Sequence, residues 1–332
     1  MATIQDVARH AGVSVATVSR ALNNLSSVRD ETRVAVQQAV RELEYEPVRK
    51  LKSERLKNEN TVMILIPDIA NPFYAMITKG MADYAMTADY SLITCVTNLS
   101  ERREKKYLEL IKSELVAGAI FLAPVISTKE MLELNQHYNI VQCCEFKEDT
   151  EQISHLSIDN YAAGRDAVQH LINLGHKKIA MISCDNGFLS SKKRESAYIE
   201  TLEKNNIPFD SDYLIRVNTY EYTNGMRGMN QLLNLDVIPT AVFAVSDFLA
   251  IGAIQSIQKH GLSVPSDIAV MGFDDIQFAS MYTPSLTTIY QPQYDMGQTA
   301  LKMLIEKVED NSSDSRCLYF EHELRIRGST VK

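Results

Sequence analysis

Residues 4–22 read IQDVARHAGVSVATVSRAL. Thr3 stands just before this stretch with Asp6 three residues on, a capping-box-like start for a helix. Ile4, Val7, Ala8 and Ala11 then recur at helical spacing, and Gly12 ends the run. Ser14 is placed to cap a second helix with Val15, Val18, Ala21 and Leu22 as its apolar positions. Two helices around a short turn containing glycine form a helix-turn-helix, because glycine accepts a left-handed backbone and a close helix crossing. The second helix presents Val15, Ala16, Thr17, Ser19 and Arg20 near its start, small enough to enter a major groove. Arg20 is the side chain long enough for a two-point contact to guanine. The bland alternative is a small three-helix interaction module. A third helix is expected over about Asp30 to Tyr45, with Val34, Val36, Ala39, Val40 and Leu43 apolar and Pro47 closing it.

Outward from the head, residues 48–60 (VRKLKSERLKNEN) are charged and poor in apolar side chains, a linker or a marginal helix. From Thr61 the texture changes. Short apolar runs (VMILIP, SLITCV, GAIFLAP, IVQCC, KIAMIS, YLIRV, TAVFAV, IAVMGF) alternate with helical patterns near 73–88, 101–115, 128–136, 160–174, 190–205, 223–234, 247–260 and 293–309. Near-continuous apolar strands alternating with helices mean parallel sheets covered on both faces. Two blocks of about four such strands predict two doubly wound subdomains. The fold class is thus an all-α head plus an α/β body. The expected division is 1–47 for the head, 48–60 for the linker and 61–332 for the body. Within the body, one subdomain spans about 61–157 and 291–318 and the other about 158–290 and 319–332.

Composition narrows the function. Apolar residues are 45% of the 332 and charged residues 23%, values that exclude wholesale disorder. The net charge is −8, but residues 1–60 hold ten basic and eight acidic side chains, so a mildly basic head sits on an acidic body. That asymmetry fits a head that meets a polyanion. The five cysteines (Cys95, Cys143, Cys144, Cys184, Cys317) lack CxxC spacing, which speaks against a zinc ribbon or a disulfide scaffold and suits a reducing compartment. The start, MATIQDVARH, has no secretory pattern, and no apolar run approaches the length of a membrane helix. A cytoplasmic protein without membrane attachment is expected. GxSxG, GxxxxGK[ST], HExxH and a GxGxxG after the first strand are all missing, and the seven histidines lack ligand spacing. No enzyme activity, cofactor or metal is expected. His176 and His260 read as structural residues at helix ends.

TIQDVARHAGVSVATVSRALNN resembles the head of the lactose repressor family of bacterial transcription regulators. The similarity continues through DETR, RELEYEP, PDIANPFY, GHKKIA, TAVFAVSD, VMGFDD, PSLTTIYQP and IRGST, essentially the whole chain. In the body, LSIDN, LTTIYQPQYDMG and ELRIRGST resemble the cytidine-repressor subfamily. The resemblance implies a periplasmic-binding-protein-like body and a repressor that binds palindromic operator double-stranded DNA as a homodimer. By position, Val15, Ala16 and Arg20 would read bases. Thr3, Ser14, Thr17, Ser19, Asn23 and Tyr45 would hold phosphates or pack close to them. The chain ends soon after IRGST without a heptad tail, so a dimer and not a tetramer is expected.

The linker departs from the family pattern. The family's hinge helix wedges paired leucines into the minor groove, whereas counting from Tyr45 the wedge position here holds Glu54, preceded by Ser53. Leu51 or Leu56 could replace it only with a shifted helix. Arg49, Lys50, Lys52, Arg55 and Lys57 remain available for phosphates.

In the body, a cleft between strand carboxyl ends is the expected site for a small effector, a nucleoside or a sugar. Asn71, Phe73 and Tyr74 of PDIANPFY offer an amide and flat faces for stacking. Arg194 in KKRESAY falls at the family's effector-binding arginine, with Ala197 where the family usually has glycine. Tyr220 falls at an aromatic wall. Asp247 and Asp274 follow two strands directly, where carboxylates accept from hydroxyls or ring N–H groups. Asp159 in SIDN serves either the effector or the subdomain crossover. Helix capping is the bland alternative for Asp247, and core packing for Phe73 and Tyr74. The rival readings for the whole are a solute-binding protein without a transcriptional role, an α/β enzyme with a helical appendage, and a co-repressor-dependent regulator that answers to a partner protein.

Overall fold

The computed structural model describes residues 2–22, 28–43, 45, 60–310 and 314–331. Asn23, Arg49, Lys50, Lys52, Ser53, Glu54 and Arg55, together with the side chain of Ser19, lie outside the described residues. The chain divides into two compact units, residues 1–59 and 60–332.

The head is three helices: α1 (Ile4–His10), α2 (Val15–Leu22) and α3 (Asp30–Glu42). Thr3 closes the capping box over α1. Its hydroxyl accepts from Asp6 N, and Asp6 in turn accepts from Thr3 N at 3.0 Å. Gly12 adopts φ +66 in the turn, a conformation that other residues enter at a cost. Ser14 Oγ accepts from Thr17 N at 3.1 Å and so caps α2. Val7, Ala8, Val18, Ala21, Val28, Val36, Ala39 and Tyr45 form the core. Val34, expected inside, is 59% exposed, because α3 turns only Val36 and Ala39 fully inward.

The body is two six-stranded sheets. The first has the order β11-β5-β4-β3-β1-β2 and is parallel throughout. Its strands are β1 (Thr61–Ile66), β2 (Ser91–Val96), β3 (Gly118–Phe121), β4 (Ile140–Cys143), β5 (His155–Ile158) and β11 (Cys317–Phe320). The second has the order β12-β10-β9-β8-β6-β7. It contains β6 (Ile179–Cys184), β7 (Leu214–Val217), β8 (Ala241–Ala244), β9 (Ala269–Asp274), β10 (Thr287–Tyr290) and β12 (Glu323–Arg325). Only β12 runs antiparallel to its neighbour, β10. β1 and β6 are buried at every residue, which is why TVMILI and IAMISC read as unbroken apolar runs, whereas the edge strand β2 is partly exposed.

The helices that matter for the site begin at strand ends. They are α4 (Pro72–Ala88) after β1, α7 (Asn160–Asn173) after β5, α8 (Leu189–Lys204) after β6, α9 (Tyr222–Leu233) after β7 and α10 (Asp247–Lys259) after β8. The set is completed by α5 (Glu101–Lys112), α6 (Thr128–His137), α11 (Gln277–Met281) and α12 (Gln293–Glu309). α9 and α10 approach closely at Gly225 and Gly252. A Cβ on Gly252 would lie 2.1 Å from the Tyr222 carbonyl oxygen.

The chain passes between the sheets after β5, after β10 and between β11 and β12. The last passage falls beyond the approximate boundary at 318, because β11 stays beside β5 as far as Phe320.

Candidate functional site

The head offers one exposed face of α2. Val15, 40% exposed, lies beside exposed Ala16 and Arg20, while Val18 is fully buried and anchors the opposite side. Thr3, Ser14 and Thr17 are engaged in capping, with Ser14 Oγ also 2.8 Å from Thr17 Oγ1. The Tyr45 ring belongs to the packed core of the head, 8% exposed.

In the body, loops from the carboxyl ends of both sheets meet around a cavity of about 660 Å³. From the first sheet come Pro67, Asp68, Ala70, Asn71 and Tyr74 after β1, and Asn98 and Leu99 after β2. From the second come Phe188 after β6, Thr219 to Thr223 after β7, and Phe248 after β8. Four aromatic rings beside Tyr74 therefore border the space: Phe188, Tyr220, Tyr222 and Phe248. Flat rings suit a sugar face or a base. Asn71, Tyr74 and Tyr220 also line a small, more polar recess with Phe73, Cys144, Glu145, Asn160, Ser190, Arg194, Asp274 and Gln291.

Several polar side chains of that recess are held from behind. Asn71 caps α4, its Oδ1 accepting from Phe73 N at 3.0 Å. Phe73 and Tyr74 meet edge to face at 5.2 Å and are both buried, so they pack and line at once. Arg194, 6% exposed, donates from Nε and Nη2 to Asn160 Oδ1 at 3.0 and 2.8 Å, and from Nη1 to the Val245 carbonyl at 2.7 Å. Its guanidinium lies 3.5 Å from the centre of the Phe273 ring. Tyr220 shares a 2.7 Å hydrogen bond with Ser191, and burial pushes its hydroxyl up to about 12.

Glu145, from the loop after β4, accepts from the backbone N–H (3.3 Å) and the hydroxyl of Ser190 at the start of α8. Burial raises its pKa, against the pull of Ser190 and Arg194. Asp274 ends β9 with φ 114, and burial raises its carboxyl to about 7 although Arg194 and Gln291 oppose that.

Two expected residues lie elsewhere. Asp247 is fully buried; Oδ2 accepts from Ile276 N at 2.8 Å and Oδ1 from Thr288 Oγ1 at 2.6 Å. It thus ties α10 to the loop after β9 and does not line the cavity. Nor does it cap α10, since Ser246 does so by accepting from Leu249 N. Asp159 caps α7 by accepting from Ala162 N at 2.9 Å and borders a neighbouring recess of about 400 Å³. Its neighbour Asn160 is the one turned toward Arg194. Glu145, Asn160, Ser190, Gln291, Phe188, Tyr222 and Phe248 were not foreseen. Position just past a strand end would have flagged Glu145 and Gln291.

Residues 3–48 match the bacterial regulatory proteins of the lacI family, and residues 168–330 match the periplasmic binding protein-like domain. Over 329 residues the chain is 34% identical to catabolite control protein A of Priestia megaterium, covering 99% of each. Over 330 residues it is 33% identical to the transcriptional repressor CytR of Escherichia coli, covering 99% of this chain and 96% of that one. The lac repressor dimer bound to operator and the anti-inducer ONPF matches with a TM-score of 0.73 at 26% identity, over 100% of this chain and 99% of that one. The chain belongs to the LacI family of bacterial regulatory proteins. It is a transcriptional repressor with a helix-turn-helix DNA-binding domain and a periplasmic-binding-protein-like effector-binding domain. These relatives are transcriptional regulators. Identities of 34% and 33% do not single out one of them. Among the described residues no helix is long and apolar enough to cross a membrane.

Proposed function

We propose that the protein is a cytoplasmic homodimer that represses transcription from a palindromic operator under the control of a neutral small metabolite, a nucleoside or a free sugar, held in the cleft. The observation that carries this reading is the cavity itself: aromatic walls over a floor of Arg194, Asp274, Glu145 and Asn160. The rings stack on the ligand while the carboxylates accept from its hydroxyl or N–H groups and the Arg194 fork donates to it. Asp68 and Glu221 at the rim, and Glu145 and Asp274, whose carboxyls burial already makes reluctant to ionise, outnumber the one cation Arg194, which disfavours a phosphorylated ligand.

Ligand binding changes the angle between the two sheets of the body, and operator affinity changes with it by roughly 1–3 kcal/mol, reciprocally. On the DNA side, Val15, Ala16 and Arg20 read bases, and Thr3, Ser14, Thr17, Ser19, Asn23 and the basic residues Arg49, Lys50, Lys52 and Arg55 meet phosphates.

The test is a thermal-shift screen with nucleosides, free sugars and sugar phosphates, followed by operator mobility shifts with each hit. A ligand at about 100 times its Kd stabilises a one-site protein by about 2.7 kcal/mol, a readable shift. Stabilisation by a nucleoside or a free sugar that also alters operator binding supports the reading. Stabilisation by sugar phosphates alone, or a hit without effect on DNA binding, overturns it.

A further inference from the structure

Successive side chains of a strand point to opposite faces, yet Cys143 and Cys144 bring their sulfurs to 3.6 Å. The cause is local. Cys143 is the last residue of β4, and Cys144 turns into the left-handed region with φ 72, a conformation that costs a residue with a Cβ about 1–2 kcal/mol. β5 holds it there: Cys144 N donates to the Leu156 carbonyl at 2.8 Å, and the Cys144 carbonyl accepts from Ser157 Oγ at 2.8 Å. Cys143 is fully buried, while Cys144 lines both the polar recess of the cleft and the neighbouring recess of about 400 Å³. A small solute in either recess reaches the pair from the Cys144 side. No part of the effector reading uses these thiols.

We propose that Cys143 and Cys144 form a two-electron oxidation site for hydroperoxides, closing to a vicinal disulfide at the floor of the effector cleft. One sulfur, as its thiolate, attacks the terminal oxygen of the hydroperoxide. The O–O bond breaks, leaving a sulfenic acid and an alcohol, or water where the oxidant is hydrogen peroxide. The second sulfur then displaces the sulfenic oxygen as water and the S–S bond forms. The peroxide gains the two electrons that the sulfurs lose, and the two thiol protons end in the alcohol and the water.

Burial and the adjoining Cys143 hold the Cys144 thiol well above its ordinary pKa, so the pair reacts slowly and registers sustained oxidant rather than a brief pulse. Consecutive Cα atoms lie about 3.8 Å apart, below the usual disulfide range of about 4.4–6.8 Å, so the bond is strained and readily reversed by a thiol. Its neighbour in sequence is Glu145, so the cleft receives a second chemical input beside its ligand.

The experiment uses the full chain carrying Cys317→Ser, which removes the exposed thiol. Graded hydrogen peroxide is followed by intact mass and by peptide mapping. The expected product is lighter by about two mass units, two hydrogen atoms, with the cross-link mapped to Cys143–Cys144 and reversed by dithiothreitol. Adding Cys144→Gly, a residue at ease with positive φ, should abolish that product while the protein stays folded. A native protein that stays unmodified, or that gains oxygen at either cysteine without the cross-link, overturns the proposal. So does a cross-link elsewhere.

Discussion

Gln291 donates from Nε2 to Asp274 Oδ1 at 2.7 Å, joining a residue in the cleft to the segment through which the chain returns to the first sheet. Gln293 adds a hydrogen bond from its side chain to the Asp274 carbonyl. Asp274 and Asp275 both have positive φ, 114 and 53, and Asp275 is pinned by Arg327 at 2.6 Å. The proposed ligand, on engaging the Asp274 carboxylate, would meet a group already bonded to the segment that connects the two sheets.

Because burial raises Asp274 from 3.8 to about 7, the folded protein holds that proton more tightly than the unfolded chain. Its contribution to stability is full below 3.8 and is lost as pH rises through about 7. Asp274→Asn keeps an acceptor for Gln291 and cannot ionise. Denaturation of both proteins across that window should show the wild type losing stability with rising pH relative to the variant. Above pH 7, where the carboxyl is charged, the same substitution should cost about fivefold in effector affinity, since a hydrogen bond to a charged acceptor contributes about 1.5–3 kcal/mol against about 0.5–1.5 for the neutral amide. Equal pH slopes would remove Asp274 from this role, and equal effector affinity would remove it from the ligand's contacts.

Asp247 should behave in the opposite way. Its oxygens are spent on Ile276 N and Thr288 Oγ1, so Asp247→Ala orphans two buried donors. Each costs about 1–3 kcal/mol. A fall in the denaturation midpoint with unchanged effector affinity is expected at temperatures where the variant is folded. Loss of affinity without loss of stability would return Asp247 to the binding surface.

These two aspartates show what the sequence makes legible. Both follow strands, and chain position alone cannot distinguish a carboxylate that turns into the cleft from one that turns beneath the next loop. The difference is made by Thr288 and Ile276, distant in sequence, which capture Asp247. The eight long apolar runs announced β1 to β4 and β6 to β9, since burial on both faces leaves an unmistakable composition. HLSI, TTIY, CLYF and ELR did not stand out, being short and partly polar, and they become β5, β10, β11 and β12 only through pairing across the sheet. Glu145 escaped notice for a related reason: its partner, Ser190, belongs to a different block of the chain. The head was more legible because its signals are local, as in the Thr3–Asp6 box and Gly12.

Arg194 is tied into the fold and also lines the polar recess where the ligand is proposed to sit. Its fork is fixed on Asn160 and the Val245 carbonyl and stacked on Phe273. A lysine keeps the charge but has neither the planar face nor the paired donors. Arg194→Lys should therefore lower both the melting temperature and effector affinity, the latter by about tenfold or more. Asn160→Ala, which frees the fork without removing it, should lower affinity less. Calorimetric titration of both variants decides this: equal losses would mean that orientation by Asn160, and not the guanidinium itself, dominates.

In the head, Arg20 is the side chain expected to discriminate among base pairs. It lies on the exposed face of α2 with Val15 and Ala16, while Val18 anchors the helix from the other side. A bidentate contact to guanine discriminates by about 1–3 kcal/mol, whereas phosphate contacts act on any sequence and set the salt dependence. Arg20→Ala should thus lose roughly 10- to 100-fold in affinity for a site that the wild-type protein selects from random DNA. Its affinity for unrelated DNA, and the slope of that affinity with salt, should stay close to the wild type. Mobility shifts on selected and scrambled duplexes at two salt concentrations separate the two terms. If the variant keeps its preference for the selected site, Arg20 does not read it, and base recognition falls to Val15, Ala16 or residues outside α2.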